Sequence, residues 1–190
     1  MSRKIKFTTF SDILKKYANG WIILVFFVLV LLFSGFIIPT VETKLKAVSG
    51  GNGFIDMQLF YTPEKVYSMI ESYGNDGRMT YRIFTLTGDL IYPIIYSVFF
   101  SLLITWLFKR GFAPDSKMHK LNIVVFGALL FDLLENVCLV LMFSLYPYKS
   151  TTIAWISTIF TTLKWTFGAI GITLVIIGLI MATKNKFKKQ

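Results

Sequence analysis

The sequence predicts an all-α membrane protein, a four-transmembrane-helix bundle with one short non-cytoplasmic amphipathic helix between spans 1 and 2. Hydrophobic residues make up 55% of the 190-residue chain, and charged residues make up 16%. The hydrophobic residues form four runs, each long enough to cross about 30 Å of hydrocarbon at about 1.5 Å per residue. The predicted spans cover residues 20–39, 83–108, 121–145 and 153–182. A non-cytoplasmic loop at 40–82 and a cytoplasmic loop at 109–120 complete a single membrane domain, residues 1–190.

The first predicted span carries no charged residue between Trp21 and Ile38. Leu, Val, Ile and Phe occupy nearly every position of this run, and Ser34 and Gly35 are its small residues. Because such a helix offers no group for chemistry, we expect it to face lipid or to support its neighbours. Pro39 is expected to end the helix, since proline lacks the amide hydrogen that would continue the hydrogen-bond pattern.

The loop between the first two spans contains a helix signal. Thr62-Pro63-Glu64 is typical of a helix start, because threonine caps, proline suits the first turn and glutamate favours the positive end of the helix dipole. Apolar residues follow at helical spacing, namely Val66, Met69, Ile70 and Tyr73. Residues 74–77, Gly-Asn-Asp-Gly, are expected to stop the run. This amphipathic helix of about three turns either packs on the ends of the spans or forms a lid over an outward-opening pocket.

The distribution of charge predicts the orientation of the chain. The sequence contains 20 lysines and arginines against 10 aspartates and glutamates. Many of the basic residues lie in three segments that share one side of the membrane: Arg3, Lys4, Lys6, Lys15 and Lys16, then Lys109, Arg110, Lys117 and Lys120, and finally Lys184, Lys186, Lys188 and Lys189. Since positive residues near span ends stay cytoplasmic, we expect both termini in the cytoplasm. The sequence is rich in lysine and phenylalanine and shows no transit signal, so we expect a plasma membrane and not an organelle membrane. We expect the basic segments to contact anionic membrane lipids and not nucleic acid.

Polar side chains interrupt the last two spans. Asp132, Glu135 and Asn136 lie in span 3 at spacings i, i+3 and i+4, which place them on one face of a helix. Lys164 lies in span 4. A charge near the bilayer centre costs at least about 2.5–3.5 kcal/mol on insertion scales, so these groups must be paired, hydrated or used. They are therefore the candidate functional site.

A second polar stripe runs along span 2. Asp89, Tyr92 and Tyr96 share one helix face, and Arg82 lies a further two turns back from Asp89. The alternating direction of the spans places this stripe, the span 3 cluster and Lys164 at similar depth. We therefore predict a polar pocket among spans 2–4 that opens toward the non-cytoplasmic side or the outer leaflet. Its predicted ligand-binding residues are Asp89, Tyr92, Tyr96, Asn136, Lys164, Arg82 and Trp165, with Tyr81 as a further wall residue. If the hydrocarbon core begins only at Leu90, Asp89 is instead an interfacial residue.

The predicted pocket has three interpretations, and its excess of carboxylates over lysine argues against the third. In the first, a lipid-like or amphipathic molecule is the ligand, and Glu135 and Asp132 are hypothetical acid/base catalysts acting on it. The alternative is a proton- or ion-coupled transport component, which at this size would need to form a homo-oligomer or join a larger membrane complex. In the third, the protein is a structural subunit, and Lys164 pairs with Glu135 or Asp132 only to stabilise the bundle.

We expect neither a metal ion nor an organic cofactor. Asp-x-x-Glu on a helix is a weak signal for Mg²⁺ or Ca²⁺, and no nucleotide-binding loop or zinc signature occurs. The only histidine, His119, falls in the predicted cytoplasmic loop. The single cysteine, Cys138, is interpreted as a small apolar residue of span 3. The sequence is therefore compatible with an enzymatic and with a non-enzymatic pocket.

Overall fold

A computed structural model describes residues 10–188 as a helical bundle, and no strand occurs in this range. Four helical stretches are long and apolar enough to cross a membrane, namely Gly20–Val48, Gly74–Gly111, Lys117–Leu145 and Thr151–Phe187. The all-α four-helix class predicted from the sequence is therefore confirmed. The basic residues Arg3, Lys4, Lys6 and Lys189 lie outside the described residues.

The first membrane-length stretch follows a short helix, α1 (Phe10–Tyr17). It consists of α2 (Gly20–Leu32), a π-helical segment (Phe33–Ile37) and α3 (Ile38–Val48) in direct succession. Asn19 caps its start, because the side-chain oxygen accepts a hydrogen bond from the Ile22 amide at 3.0 Å. No residue of α2 is buried, as a helix that faces lipid requires.

Pro39 does not end the first helix, so this expectation from the sequence is wrong. The wider turn of the π-helical segment comes immediately before it, and Pro39 occupies the first turn of α3. Proline is tolerated in a first turn, because the amide hydrogen that it lacks would have no α-helical partner there. Helical backbone therefore continues to Val48.

The predicted amphipathic helix between the first two spans is α4 (Pro63–Ser72). Thr62 caps it, since its hydroxyl accepts a hydrogen bond from the Lys65 amide at 3.3 Å. The hydroxyl of Tyr67 donates to the main-chain oxygen of Ser150 at 3.1 Å and accepts from the amide of that residue at 2.7 Å. The buried apolar face of α4 therefore packs on the ends of the long helices.

Residues 74–77, which were expected to stop the helical run, begin a new helix, α5 (Gly74–Thr85). Gly74 has a φ of +60°, so the chain changes direction there without a longer loop. Gly77 is required for packing: an added Cβ would lie 2.8 Å from the Cβ of Tyr73 and 2.9 Å from a methyl carbon of Val48. The glycine-rich sequence therefore marks a corner between two helices and a close contact.

Three helices form the centre of the bundle, and each packs against the other two: α6 (Gly88–Gly111), α7 (Phe126–Leu145) and α8 (Thr151–Phe187). A 3₁₀ segment (Lys117–Ile123) connects α6 to α7, and α2 packs on the outside of α6. We call the end that carries residues 49–87 the loop end. The opposite end, which carries α1, the 3₁₀ segment and the last turns of α8, is the terminal end. Each end has its own apolar cluster.

Candidate functional site

A buried lysine lies among carboxylates from α7 and from the loop at 49–62. The ammonium nitrogen of Lys164, on α8, is 2.7 Å from Glu135 Oε2 and 3.6 Å from Asp132 Oδ1. Asp56 Oδ2 is 3.7 Å from the same nitrogen, and the main-chain oxygen of Asp56 accepts a hydrogen bond from it at 3.2 Å. Lys164 is 8% exposed and Glu135 is fully buried. The three hydrogens of the ammonium group therefore meet three carboxylates and a carbonyl.

Glu135 is held by hydroxyl groups as well as by the lysine. The Thr161 hydroxyl donates to Glu135 Oε1 at 2.5 Å, and the Tyr61 hydroxyl lies 3.5 Å from the same oxygen. A second hydrogen bond joins Tyr61 to the Ser157 hydroxyl at 2.7 Å. Burial raises the pKa of Tyr61 above its ordinary value, and the nearby charge of Glu135 raises it further. Tyr61 therefore stays a protonated phenol at neutral pH and is able to donate.

Asp132 connects the lysine to the tyrosines of α6. The Tyr96 hydroxyl donates to Asp132 Oδ2 at 2.9 Å, while Oδ1 is the oxygen that faces the lysine. The ring of Tyr96 packs edge-on against Tyr92 at a centroid distance of 5.4 Å. Tyr92 in turn stacks on Phe33 of the π-helical segment at 5.5 Å. These contacts fix the tyrosine stripe of α6 beside the charged groups.

Asn136 has a structural role that follows from the proline inside α6. In a regular helix the amide of residue 93 would donate to the main-chain oxygen of Asp89, but Pro93 has no amide hydrogen. Asn136 Nδ2 donates to that oxygen instead, at 3.0 Å. Because an unpaired buried carbonyl costs about as much free energy as a lost hydrogen bond, this amide stabilises the contact between α7 and α6.

The carboxylate of Asp89 differs from the other three. It is 7% exposed, yet no hydrogen bond or ion pair reaches it from any other residue in the range 10–188. Asp89 lies in the first turn of α6, where the helix dipole favours a negative charge. Together Asp56, Asp89, Asp132 and Glu135 form what we call the acidic cluster, and Asp89 is its unpaired member.

Asp56 is the member of the acidic cluster that the sequence does not single out. It lies in an irregular segment, so no helical spacing relates it to the spans. The Tyr81 hydroxyl donates to Asp56 Oδ1 at 2.7 Å and accepts a hydrogen bond from the Ile55 amide at 2.8 Å. Trp165 Nε1 donates to the main-chain oxygen of Asp56 at 3.3 Å. The mixture of aromatic and polar residues at 54–61 is the only sequence signal here, and it indicates no register.

A cavity of about 380 Å³ lies among α6, α7, α8 and the loop that carries Asp56. Asp56, Asp89, Asp132 and Lys164 line one part of it, which we call the charged end. Most of the remaining wall is apolar or aromatic and includes Phe54, Phe100, Val125, Ala128, Gly171 and Ile172. The cavity is partly open to the surface of the bundle.

Most of the residues predicted as a site border this cavity. Its wall contains Asp89, Tyr92, Tyr96, Asp132, Lys164 and Trp165. Glu135 and Asn136 lie behind the wall, where they contact Lys164 and Asp89. Arg82 lies on α5; it is outside the cavity wall and forms no ion pair with a described residue. Tyr81 is fully buried and reaches the site through Asp56.

The fold and the site together define a membrane-type helical protein with buried charged residues. In the part of the chain that the structure describes, no three His, Cys, Asp or Glu side chains are grouped so as to hold a metal ion. No known protein family, curated protein or solved structure matches the chain. Its function is therefore inferred from the contacts, burial and charges of the cavity.

Proposed function

We propose that the protein binds a lipid-like or amphipathic molecule in the cavity. The observation that carries this proposal is the division of the cavity into a charged end and an apolar remainder. Binding sites for small molecules are usually apolar hollows with a few convergent polar groups, and this cavity has that composition. Lipids and related amphiphiles have the complementary division into a polar head and an apolar chain.

The dimensions of the cavity suit an elongated ligand. Along α6 its wall extends from Asp89 to Phe100, which corresponds to about 16 Å at about 1.5 Å per residue. Its volume of about 380 Å³ falls within the range of about 300–1,000 Å³ that is usual for small-molecule sites. A headgroup beside Asp89 would therefore be followed by a chain that runs along α6 toward the middle of the bundle.

Access to the cavity is proposed to be from the lipid. Several wall residues are also part of the outer surface: Ile172 is 54% exposed and Trp165 is 39% exposed. On a membrane-spanning helix such as α8, exposed apolar side chains contact acyl chains. An amphiphile is thus able to enter sideways, without first crossing an aqueous opening.

The two carboxylates proposed for acid/base chemistry have different access to a ligand. Asp132 lines the cavity, whereas Glu135 is fully buried and its two oxygens face Lys164 and Thr161. In our proposal Glu135 positions Lys164, and any proton transfer to or from the ligand uses Asp132. Turnover would be recognised as a chemically altered molecule among those that co-purify with the protein.

We further propose that the protein lies in a plasma membrane with both termini in the cytoplasm. Lys109 donates a hydrogen bond to the main-chain oxygen of Lys15, and Asn185 donates one to that of Arg110. The described residues of the basic segments therefore lie at the terminal end of the bundle, and positive charge favours the cytoplasmic side. A reporter fused after Gln190 should be cytoplasmic. A reporter found outside would contradict the orientation but not the cavity.

The test of ligand binding is mass spectrometry of small molecules and lipids that co-purify with gently extracted protein. Gly168→Leu should fill the cavity, because Gly168 lines it and an added Cβ would meet no atom within 4 Å. Gly35→Leu is the matched control, since this glycine also has open space within 4 Å and lies outside the cavity wall. We expect a species enriched on wild type and on Gly35→Leu, and depleted at least about tenfold on Gly168→Leu.

Two results would contradict the binding proposal. One is the absence of any molecule that is selectively enriched on the wild-type protein. The other is equal enrichment on wild type and on folded Gly168→Leu, since bound molecules would then lie outside the cavity. Extraction in a mild detergent, followed by comparison with an unrelated membrane protein purified in the same way, separates selective binding from carry-over of bulk lipid.

A proton- or ion-coupled transport component is the second candidate. The buried carboxylate of Asp89, which has no partner within residues 10–188, favours it. With four spans, such a component would act as a homo-oligomer or within a larger complex. Protein reconstituted into liposomes should then move protons or cations, and Asp89→Asn should reduce the flux. Asp76→Asn, on the exposed surface of α5, is the control for loss of a carboxylate. No flux across a broad panel of ions would rule this candidate out.

A further inference from the structure

The charged end of the cavity has more carboxylates than basic groups. Asp56, Asp89 and Asp132 line it and Glu135 lies directly behind it, whereas Lys164 is the only basic side chain in the wall among the described residues. If the cavity binds an amphiphile, as proposed above, we infer that this ligand is cationic: a long-chain molecule that carries a protonated amine at its polar end.

Lys164 is not available to an anionic headgroup. Its ammonium group already contacts Glu135 at 2.7 Å and the main-chain oxygen of Asp56 at 3.2 Å. The third hydrogen has the carboxylates of Asp132 and Asp56 within 3.6 and 3.7 Å. An ammonium group has three donors and no more. A phosphate or carboxylate ligand would have to displace one of these contacts, and the remaining carboxylates would repel it.

Asp89 is the acceptor with free capacity. Asp132 accepts from Tyr96 and faces the lysine, and Asp56 accepts from Tyr81. Asp89 is 7% exposed and lines the cavity, but no side chain in the range 10–188 pairs with its carboxylate. A buried charge without a partner is costly, so a bound ammonium group that pairs with Asp89 removes this cost. Charge-assisted hydrogen bonds of this kind are about twice as strong as neutral ones.

The aromatic part of the wall also favours a cation. Tyr92, Tyr96 and Trp165 all line the cavity near its charged end. The face of an aromatic ring attracts a cation that lies within about 6 Å of the ring centroid, and ammonium ligands are commonly recognised in this way. The ring of Trp165 already lies 5.9 Å from the ammonium nitrogen of Lys164. Carboxylates and aromatic rings therefore combine here as they would around a second ammonium group.

The test uses three photoreactive probes, an amine, an alcohol and a phosphate, that carry the same dodecyl chain with a diazirine at the end remote from the headgroup. Wild-type protein in nanodiscs of phosphatidylcholine is labelled with each probe, and the labelled peptides are quantified by mass spectrometry. Labelling of α2, none of whose residues is buried, corrects for partition of each probe into the bilayer. We expect the amine to label peptides around Phe100 and Ile172 at least about tenfold more than the alcohol does, and the phosphate to label them least.

Asp89→Asn tests the residue assignment. It keeps the main-chain oxygen that Asn136 needs but removes the charge. In this variant labelling by the amine should fall to the level that the alcohol gives on the same variant. Asp76→Asn, an exposed position of α5, should keep the full preference for the amine. If Asp89→Asn fails to fold, the comparison of the three probes on wild-type protein still decides the question.

The outcomes separate this inference from the function on which it rests. Equal labelling of the cavity by amine and alcohol, as a protonated Asp89 would give, overturns the cationic headgroup and leaves amphiphile binding intact. Stronger labelling by the phosphate does the same. If no probe labels the cavity above the level of α2, the proposed binding function itself fails.

Discussion

Two buried polar clusters join neighbouring elements of the bundle, and they are built from different chemistry. The one nearer the terminal end is neutral: Ser101 donates to the main-chain oxygen of Asn122 at 2.7 Å, and Asn122 Nδ2 donates to Thr105 Oγ1 at 2.9 Å. The one at the loop end contains Lys164 and the acidic cluster. Each leaves an amide oxygen without a partner among the described residues, Oδ1 of Asn122 and Oδ1 of Asn136. The difference between the clusters is therefore one of charge.

The surroundings of the two clusters differ in the same way. The neutral cluster lies beside a packed apolar cluster that includes Ile104 and Phe108. The side chains of Ser101, Thr105 and Asn122 do not line the cavity. The acidic cluster borders the cavity and includes Asp89, whose carboxylate has no partner among the described residues. Neutral hydrogen bonds are sufficient to fix helices in register. An excess of buried charge beside open space is not needed for that purpose, and the binding proposal rests on this difference.

Removing the lysine should have the largest effect on stability. Lys164→Met leaves three carboxylates near a vacated position, and breaking a buried ion pair in this way destabilises proteins by about 3–5 kcal/mol. The free energy of unfolding is measured by SDS titration in mixed micelles. Lys149→Met is the control, because the pair of Lys149 with Glu71 at 3.4 Å is more than half exposed and should contribute at most about 1 kcal/mol.

The second half of this experiment separates architecture from binding. If the ion pairs only stabilise the bundle, Glu135→Gln should cause gross loss of folded protein, and combining it with Lys164→Met should restore folding. If they serve the cavity, Glu135→Gln should keep the fold and change the amount of ligand that co-purifies. A loss for Lys164→Met no larger than that of the Lys149 control would contradict a stabilising network.

The neutral cluster should affect stability and leave binding unchanged. Thr105 donates to the main-chain oxygen of Ser101 at 2.7 Å and accepts from Asn122, so Thr105→Val leaves a buried amide donor short of a partner. We expect a loss of about 1–3 kcal/mol in the free energy of unfolding. Thr173→Val is matched to it, because Thr173 makes the same type of bond, to Ala169 at 2.9 Å, on an exposed face. A drop in co-purified ligand for Thr105→Val would contradict the distinction between the clusters.

Helical periodicity accounts for what the sequence could predict about the site. The spacing within Asp132, Glu135 and Asn136 is read directly from the chain, and so is the stripe from Asp89 to Tyr96. These side chains lie on regular helices that pack against one another, so their faces meet. The class of fold follows from the length of the apolar runs, each of which is long enough to cross the bilayer as a helix. Periodicity does not predict the separate role of each polar side chain. Asn136 compensates for the missing amide hydrogen of Pro93, and Glu135 is buried away from the cavity.

The sequence did not predict the relations that cross a break in helical backbone. Arg82 shares the face of Asp89 only if one helix continues through both residues, but the chain leaves helical conformation at Thr87, with φ −128° and ψ −84°. Beyond that break the face of α6 no longer continues into α5. Asp56 was not predicted because it reaches the lysine from an irregular segment, which is held by Tyr81 and has no period.

Tyrosine ionisation should weaken the loop end at high pH. Burial raises the pKa of Tyr61 and of Tyr73 above the ordinary value of about 10. Below about pH 10 both phenols are protonated in the folded and unfolded states, so they contribute no pH dependence. Above it only the unfolded state ionises, and stability should fall by up to about 1.4 kcal/mol per pH unit for each tyrosine.

Above about pH 10, the unfolding free energy of the wild-type protein should fall with pH. Tyr61→Phe should make this fall shallower by up to about 1.4 kcal/mol per pH unit, the contribution of one tyrosine. Tyr148→Phe is the control, because the side chain of Tyr148 is 68% exposed. The slope is measured from SDS titrations at a series of pH values. Identical slopes for wild type and Tyr61→Phe would show that the phenol of Tyr61 ionises as readily in the folded protein as in the unfolded one.

Two glycines of α8 should give the smallest effects, with opposite signs. Gly168→Ala adds a Cβ to open space in the cavity, so the gain in helix propensity of about 0.8–1.0 kcal/mol should stabilise the protein. Gly171→Ala places its Cβ 2.7 Å from a methyl carbon of Val125, the residue before α7, so the Val125 side chain must move and stability should fall. Thermal denaturation of both variants measures the difference. Stability changes of opposite sign at two positions about one turn apart would locate the boundary between the cavity and the packed part of α8. Destabilisation by Gly168→Ala would show instead that the space beside the acidic cluster is closed in the folded protein.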